Sequence, residues 1–114
     1  MKDKFGKFED LIVWKDGIQL STEIYNLLKN INGFRFRDQI RRASVSIPSN
    51  IAEGFDRLTN KEYMQFLFIA KGSCAEVRTQ LYLAQNVAII SKENVKSLIV
   101  KTRKISAMLN YKIV

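Results

Sequence analysis

Apolar residues recur at intervals of three and four along almost the whole chain, a spacing that places them on one face of an α-helix. Alternation with a period of two, typical of half-buried strands, is rare. Four segments carry the helical pattern, at about residues 11–28, 36–52, 60–90 and 92–112. The pattern therefore predicts an all-α protein, an up-and-down antiparallel four-helix bundle in which residues 1–114 form a single domain.

Turn and capping residues mark the limits of these segments. Gly33 is expected to end the first helix and Gly54 the second, because glycine readily adopts the left-handed conformation that closes a helix. Pro48 lies inside the second segment and predicts a kink, since its ring removes a backbone hydrogen bond. Thr59 and Glu62 have the spacing of a capping box, which predicts the start of the third helix.

The same periodicity predicts which face of each helix turns toward the core. In the first helix the predicted face consists of Trp14, Ile18, Ser21, Tyr25 and Leu28. Gly17 and Ile24 lie beside it. The other helices carry equivalent stripes that run from Phe36 to Ile51, from Tyr63 to Ala88 and from Val95 to Ile113.

The third helix differs from the others because it is apolar on nearly every side. From Tyr63 to Ile90 its only charged residues are Lys71, Glu76 and Arg78, whereas a helix of a monomeric bundle buries a stripe only ~100° wide. Surplus apolar surface marks an interface, so we expect a homo-oligomer whose interface includes Val45, Ala52, Met64, Phe68 and Tyr82. The alternative is a central third helix that the other helices shield.

Missing residue types limit the chemistry. The chain has no histidine and a single cysteine, Cys74, which excludes an internal disulfide and a zinc site of thiolates and imidazoles. We therefore expect a non-enzymatic protein without a metal or cofactor. No run reaches the ~18 apolar residues that a membrane span requires, and no signal peptide is recognised, so a cytoplasmic location without membrane association is expected.

Positive charge is concentrated in two stretches of a chain whose formal net charge is +8. Residues 29–42 carry a net charge of +4 and residues 91–114 a net charge of +5. Basic patches attract polyanions, and nucleic acid is the first candidate. The predicted contacts are Lys29, Arg35, Arg37, Arg41, Lys96, Lys101, Arg103, Lys104 and Lys112. A solvated face without a ligand is the alternative interpretation.

Several polar residues border apolar positions and are interpreted as structural or interface residues: Arg42, Pro48, Asn50, Glu53, Arg57, Glu76 and Arg78. Asp38 and Arg42 are one turn apart and are expected to pair. Glu53 is expected to form an ion pair with Arg57 or Arg78, and its partner is expected to come from another helix or subunit. Asn50 is expected to make an interhelical hydrogen bond. A di-iron site at Glu53 and Glu76 is disfavoured because bundles of that kind use histidine as well.

Three collinear segments resemble one protein family: residues 8–15 (FEDLIVWK), 38–54 (DQIRRASVSIPSNIAEG) and 66–76 (FLFIAKGSCAE). The family is that of four-helix bundle proteins encoded within intervening sequences of bacterial 23S ribosomal RNA genes, to which the Avd accessory proteins of diversity-generating retroelements are related. The chain departs from the family at Cys74, where leucine is more common, and at Asp56, where glycine is common. The resemblance implies a homopentamer with a basic surface that engages nucleic acid or a nucleic-acid enzyme.

Two functions follow as hypotheses. The first is a basic oligomer that binds RNA or DNA through phosphate contacts without reading bases. The second is a scaffold or accessory subunit for a nucleic-acid-bound protein such as a reverse transcriptase. Residues 34–37 (FRFR) interleave aromatic and basic side chains as single-strand binders do, but entry into a helix explains Phe36 equally well, and the role of Phe34 stays open.

Overall fold

The computed structural model describes residues 6–113. Over that range it consists of a 3-10 turn at Phe8–Asp10 followed by four α-helices: α1 (Ile12–Leu27), α2 (Phe34–Phe55), α3 (Asn60–Asn86) and α4 (Lys92–Ile113). The Thr59 hydroxyl accepts a hydrogen bond from the Glu62 backbone N–H at 3.2 Å and donates one to the Glu62 carboxylate at 3.0 Å. The predicted N-cap at Thr59 is thus confirmed, while the Glu62 carboxylate bonds the Thr59 hydroxyl and not its backbone N–H.

Pairs of side chains from neighbouring helices establish the antiparallel arrangement. Residue numbers rise on one helix as they fall on its neighbour. Arg41 of α2 donates to the Tyr25 carbonyl of α1, and Ser44 of α2 contacts Ser21 of α1. In the same way Ser46 lies opposite Ser73, and Arg78 opposite Ser106. Helices α1 and α4 close the bundle through the ion pairs Lys101–Glu23 and Lys104–Asp16. The all-α up-and-down bundle is confirmed.

The predicted inward face of α1 is confirmed at Ser21 and Leu28, which are buried, and wrong at Ile18 and Tyr25. The residues that α1 buries are Val13, Gly17, Leu20, Ser21 and Ile24, whereas Ile18 and Tyr25 are each 41% exposed. Helix α1 meets α2 at Gly17, where an added Cβ would lie 3.4 Å from both Cβ and Cδ of Pro48. Gly17, and not Ile18, faces α2.

The inward faces of the other three helices agree with the periodicity except at Ala88, which is exposed beyond the end of α3. The buried residues of α3 include Tyr63, Leu67, Ala70, Cys74, Val77 and Leu81, and those of α4 run from Val95 to Leu109. Helix α2 buries Ile40, Ala43, Ile47 and Ile51 and continues without a break through Pro48. These stripes meet in one hydrophobic core.

Helix ends are less well predicted. Helix α2 begins at Phe34 rather than residue 36, and it passes Gly54 to end at Phe55. Helix α3 ends at Asn86, before the predicted residue 90. There Ala88 has a φ of +62°, and the N–H groups of Ala88 and Ile89 donate to the carbonyls of Gln85 and Ala84. This is the Schellman pattern with alanine in the position that glycine usually holds.

Candidate nucleic-acid interface

Both basic stretches of the sequence contribute to one end of the bundle. Because neighbouring helices are antiparallel, the α1–α2 connection and the α3–α4 connection lie side by side. We call this region, residues 28–42 and 87–97, the basic end. It contains Lys29, Arg35, Arg37, Arg41, Arg42, Lys92 and Lys96 against only Asp38 and Glu93, a net charge of +5 within a chain of +8.

The opposite end has no such excess. Residues 6–16, 53–62 and 104–113 hold six basic and six acidic side chains, so their net charge is zero. The bundle measures 43 × 21 × 19 Å, which is long compared with the ~8 Å Debye length at physiological salt. A polyanion near one end therefore experiences the charge of that end alone.

Most cations of the basic end have no acidic partner. Among residues 6–113 no carboxylate pairs with Lys29, Arg35, Arg42, Lys92 or Lys96. Gly33, the residue before α2, provides no side-chain cap, and the first turn of α2 contains no acidic residue. The exposed backbone N–H groups of that turn add to the positive potential.

Two arginines of this end are held against aromatic rings. The Arg41 guanidinium lies 4.5 Å from the centroid of the Tyr25 ring, and its Nη2 donates to the Tyr25 carbonyl at 3.0 Å. The Arg37 guanidinium lies 4.6 Å from the centroid of the Phe34 ring, and its Nε lies 3.6 Å from the Asp38 carboxylate. Such contacts restrict both arginines to defined positions and reduce the entropy that a ligand must remove.

A shallow depression lies between α1 and α2 at this end. Its volume is about 350 Å³, within the ~300–1,000 Å³ range of small-ligand sites. The lining residues are Tyr25, Asp38, Arg41, Arg42 and Val45. It combines an aromatic ring, two guanidinium groups and a carboxylate, so it offers both hydrogen-bond donors and an acceptor to a planar polar group.

The structure brings together only part of the predicted contact set. Lys29, Arg35, Arg37, Arg41 and Lys96 all belong to the basic end, whereas Lys112 lies at the opposite end and Arg103 on the exposed side of α4. Lys101 and Lys104 are engaged with Glu23 and Asp16 of α1. Their partners are far away in sequence, so periodicity gave no sign of them. Arg42 and Lys92 are the additional cations at the basic end.

The interpretation of the polar residues needs three corrections. Within residues 6–113 Asn50 makes no interhelical hydrogen bond, because its Nδ2 donates to the carbonyl and hydroxyl of Ser46 on its own helix. Ser46 makes the interhelical contact, to the Ser73 hydroxyl at 2.8 Å. The predicted pair of Glu53 with Arg57 is confirmed at 2.9 Å, but Arg57 follows Glu53 by four residues and does not belong to another helix.

The third correction concerns Asp38, which pairs with Arg37 and leaves Arg42 without a carboxylate. Arg78 pairs with no carboxylate within residues 6–113; its Nη1 donates to the Ser106 hydroxyl at 3.0 Å and joins α3 to α4. Glu76 is exposed on α3. In this part of the chain no three acidic or cysteine side chains lie close enough to hold a metal ion.

The single cysteine is sequestered in the core. Cys74 is fully buried, and burial raises the pKa of its thiol above the ordinary value, although the Ser106 hydroxyl and Arg78 oppose the shift. A buried neutral thiol is a poor nucleophile. Across residues 6–113 no helix is both long and apolar enough to cross a membrane.

The predicted association surface is only partly exposed. Phe68 is 56% exposed, Tyr82 and Val45 are also exposed, and Ala52 and Met64 are half-buried. The outer side of α3 adds Ile69, Leu83 and Val87. A Cβ added at Gly72, in the middle of that side, would meet no atom within 4 Å, so no contact of the chain itself requires a glycine there.

Comparison with known proteins yields one family and one well-matched fold. The family model described as 23S rRNA-intervening sequence protein matches residues 9–111. A crystal structure of a protein of unknown function from the S23 ribosomal protein family of Bacteroides thetaiotaomicron superposes with a TM-score of 0.85. Its sequence is 24% identical, and the match covers 90% of this chain and 98% of that one. No curated protein gives a significant match.

Proposed function

Because this chain belongs to the 23S rRNA-intervening sequence protein family, we propose that it is a non-enzymatic module that binds RNA through phosphate contacts. The observation that carries the proposal is the basic end, with its net charge of +5 and with most of its cations free of carboxylate partners among residues 6–113. A cation that neutralises a phosphate releases a condensed counterion, so binding is favoured at low salt and needs no base-specific contact.

Self-association supports the same proposal. The outer side of α3 exposes Phe68, Ile69, Tyr82 and Leu83, and burial of apolar area contributes ~25 cal/mol per Å². A homo-oligomer, proposed here as a pentamer, would repeat the basic end in every subunit. Repeated weak phosphate contacts raise the overall affinity through effective concentration.

The test compares two charge reversals of equal size. Arg35→Glu with Arg42→Glu alters the basic end, while Lys15→Glu with Lys61→Glu alters exposed lysines near the opposite end. Fluorescence anisotropy with a labelled RNA hairpin is measured from about 50 to 200 mM salt. The slope of log affinity against log salt is negative. We expect the first variant to reduce its magnitude by about two, since two phosphate contacts are lost. The second should leave the slope unchanged.

Two results would contradict the proposal. One is an equal loss of affinity in both variants, which would indicate a response to net charge alone. The other is the absence of binding by the unmodified chain at low salt. Retention of a nucleic-acid-bound protein in place of RNA would favour the scaffold function.

A further inference from the structure

Phe34 is an exposed aromatic residue at the start of α2, inside the basic end. Its side chain is 61% exposed and does not belong to the hydrophobic core, whereas Phe36, two residues on, packs against that core. The Arg37 guanidinium stacks on its ring at 4.6 Å from the centroid. Packing of the bundle therefore explains Phe36 but not the aromatic ring of Phe34.

We infer that the basic end takes single-stranded RNA, with an unpaired base stacked on Phe34 and the adjoining phosphates on Arg35 and its neighbours. This inference rests on the proposed function and adds the class of RNA to it. Proteins that bind single strands without sequence preference combine a basic surface with aromatic rings on which bases stack. Cation–π contact with Arg37 fixes one side of the ring and reinforces such a platform.

The geometry favours unpaired over paired nucleotides. In an A-form duplex the bases are stacked on one another within the helix, so their faces are not available to a protein ring. The depression beside Tyr25 is shallow and open to solvent, with a volume of about 350 Å³, so it is accessible to a base that has left the stack. Duplex RNA would use only the phosphate contacts of this surface.

Asp38 strengthens the argument because it is acidic and lines that depression together with Arg41 and Arg42. The Asp38 carboxylate lies 3.6 Å from the Arg37 Nε, and it disfavours a phosphate in the depression because like charges repel. The exocyclic amino groups of bases, in contrast, donate hydrogen bonds to carboxylates. The position of Asp38 thus fits a base more closely than a backbone.

The experiment measures affinity for two labelled probes, single-stranded oligoadenylate and a duplex RNA of equal length, at low salt. Phe34→Ala removes the ring, Phe34→Trp keeps an aromatic ring, and Tyr111→Ala is the matched control. Tyr111 is 87% exposed at the opposite end of the bundle. Circular dichroism checks that each variant keeps its helices, as expected for exposed side chains.

We expect Phe34→Ala to weaken binding of the single strand about 5- to 150-fold, the effect of removing one base–aromatic stack. Duplex binding should change by less than about twofold, because phosphate contacts are intact. Phe34→Trp should retain the single-strand affinity, and Tyr111→Ala should change neither affinity.

If Phe34→Ala lowered the affinity for both probes equally, or did not lower the affinity for the single strand, the inference would be overturned. The proposed function would remain intact. Absence of binding to either probe by the unmodified chain would overturn both.

Discussion

Ala88 adopts the left-handed conformation, with a φ of +62°, at the end of α3. Left-handed backbone costs a residue with a Cβ about 1–2 kcal/mol, and glycine avoids that cost. Ala88→Gly is therefore expected to raise the free energy of unfolding by about 0.5–1 kcal/mol, after the larger unfolded-state entropy of glycine is subtracted. Urea denaturation followed by circular dichroism measures the change.

Ala107→Gly provides the control for that substitution. Ala107 is exposed within α4, where the same replacement should lower the free energy of unfolding by about 1 kcal/mol. If Ala88→Gly lowered the free energy of unfolding by as much as Ala107→Gly, then residue 88 would not adopt the left-handed conformation in solution.

Gly54 lies where α2 and α3 come closest. A Cβ added there would lie 2.6 Å from the Phe66 Cβ and 3.2 Å from the Tyr63 carbonyl oxygen. Because neither atom is the end of a flexible side chain, Gly54→Ala should separate the helices and destabilise the fold by about 1–3 kcal/mol. Thermal unfolding tests this.

Gly17→Ala is the matched comparison for Gly54→Ala. Its added Cβ would meet Pro48 at 3.4 Å, an ordinary contact, so we expect a change below about 1 kcal/mol. If both variants lost the same stability, the close approach at Gly54 would not be the cause.

Among the elements, α1 and α4 meet at a seam with two ion pairs, Lys101–Glu23 and Lys104–Asp16 at 3.6 Å. All four side chains are partly exposed, and exposed pairs contribute ~0–1 kcal/mol each. We expect Lys101→Gln with Lys104→Gln to lower the free energy of unfolding by less than about 2 kcal/mol. RNA affinity should change by less than about twofold, unlike the effect of Arg35→Glu with Arg42→Glu.

Stability and RNA anisotropy are measured on the same preparation of that variant. A loss of affinity as large as that of the basic-end variant would place Lys101 and Lys104 among the phosphate contacts after all.

Periodicity predicted the positions of the four helices because burial follows the 3.6-residue repeat. It predicted the burial of Ser21 and Leu28 in α1 but misplaced Ile18 and Tyr25, because the surface of α1 that meets α2 at Gly17 depends on residues of another helix. The end of α3 was missed because alanine, and not glycine, closes that helix. Local sequence predicts the buried face of a helix where that face is a regular apolar stripe. It does not predict helix ends or helix orientation that depend on contacts with other helices.

The candidate site was predicted in composition but not in position. Both basic stretches were found from the sequence, yet their meeting at one end depends on the antiparallel order of the helices. The ion pair between Lys101 and Glu23 spans 78 residues of chain, beyond any local pattern. The pairing of Lys101 and Lys104 with carboxylates of α1 was therefore visible only in the folded structure.

At the scale of the whole molecule, the exposed apolar residues of α3 predict self-association. We expect sedimentation at micromolar concentration to give a mass above the 13.2 kDa of one chain. Phe68→Glu with Tyr82→Glu should shift the mass toward the monomer, because it places two charges in the proposed interface.

Leu58→Glu is the matched control, since Leu58 is 88% exposed in the α2–α3 turn. Its mass should equal that of the unmodified chain. A mass of 13.2 kDa for the unmodified chain would overturn self-association.

The unequal charge of the two ends gives the bundle a preferred orientation near a polyanion. Phosphates attract the basic end and not the neutral end, so the long axis turns until the basic end faces them. End-on docking presents a face of about 21 × 19 Å, which a stacked strand crosses in about six nucleotides at ~3.4 Å each. An oligonucleotide longer than about six nucleotides makes no further contact with a single chain. Any further rise of affinity with oligonucleotide length would therefore indicate binding by a second subunit.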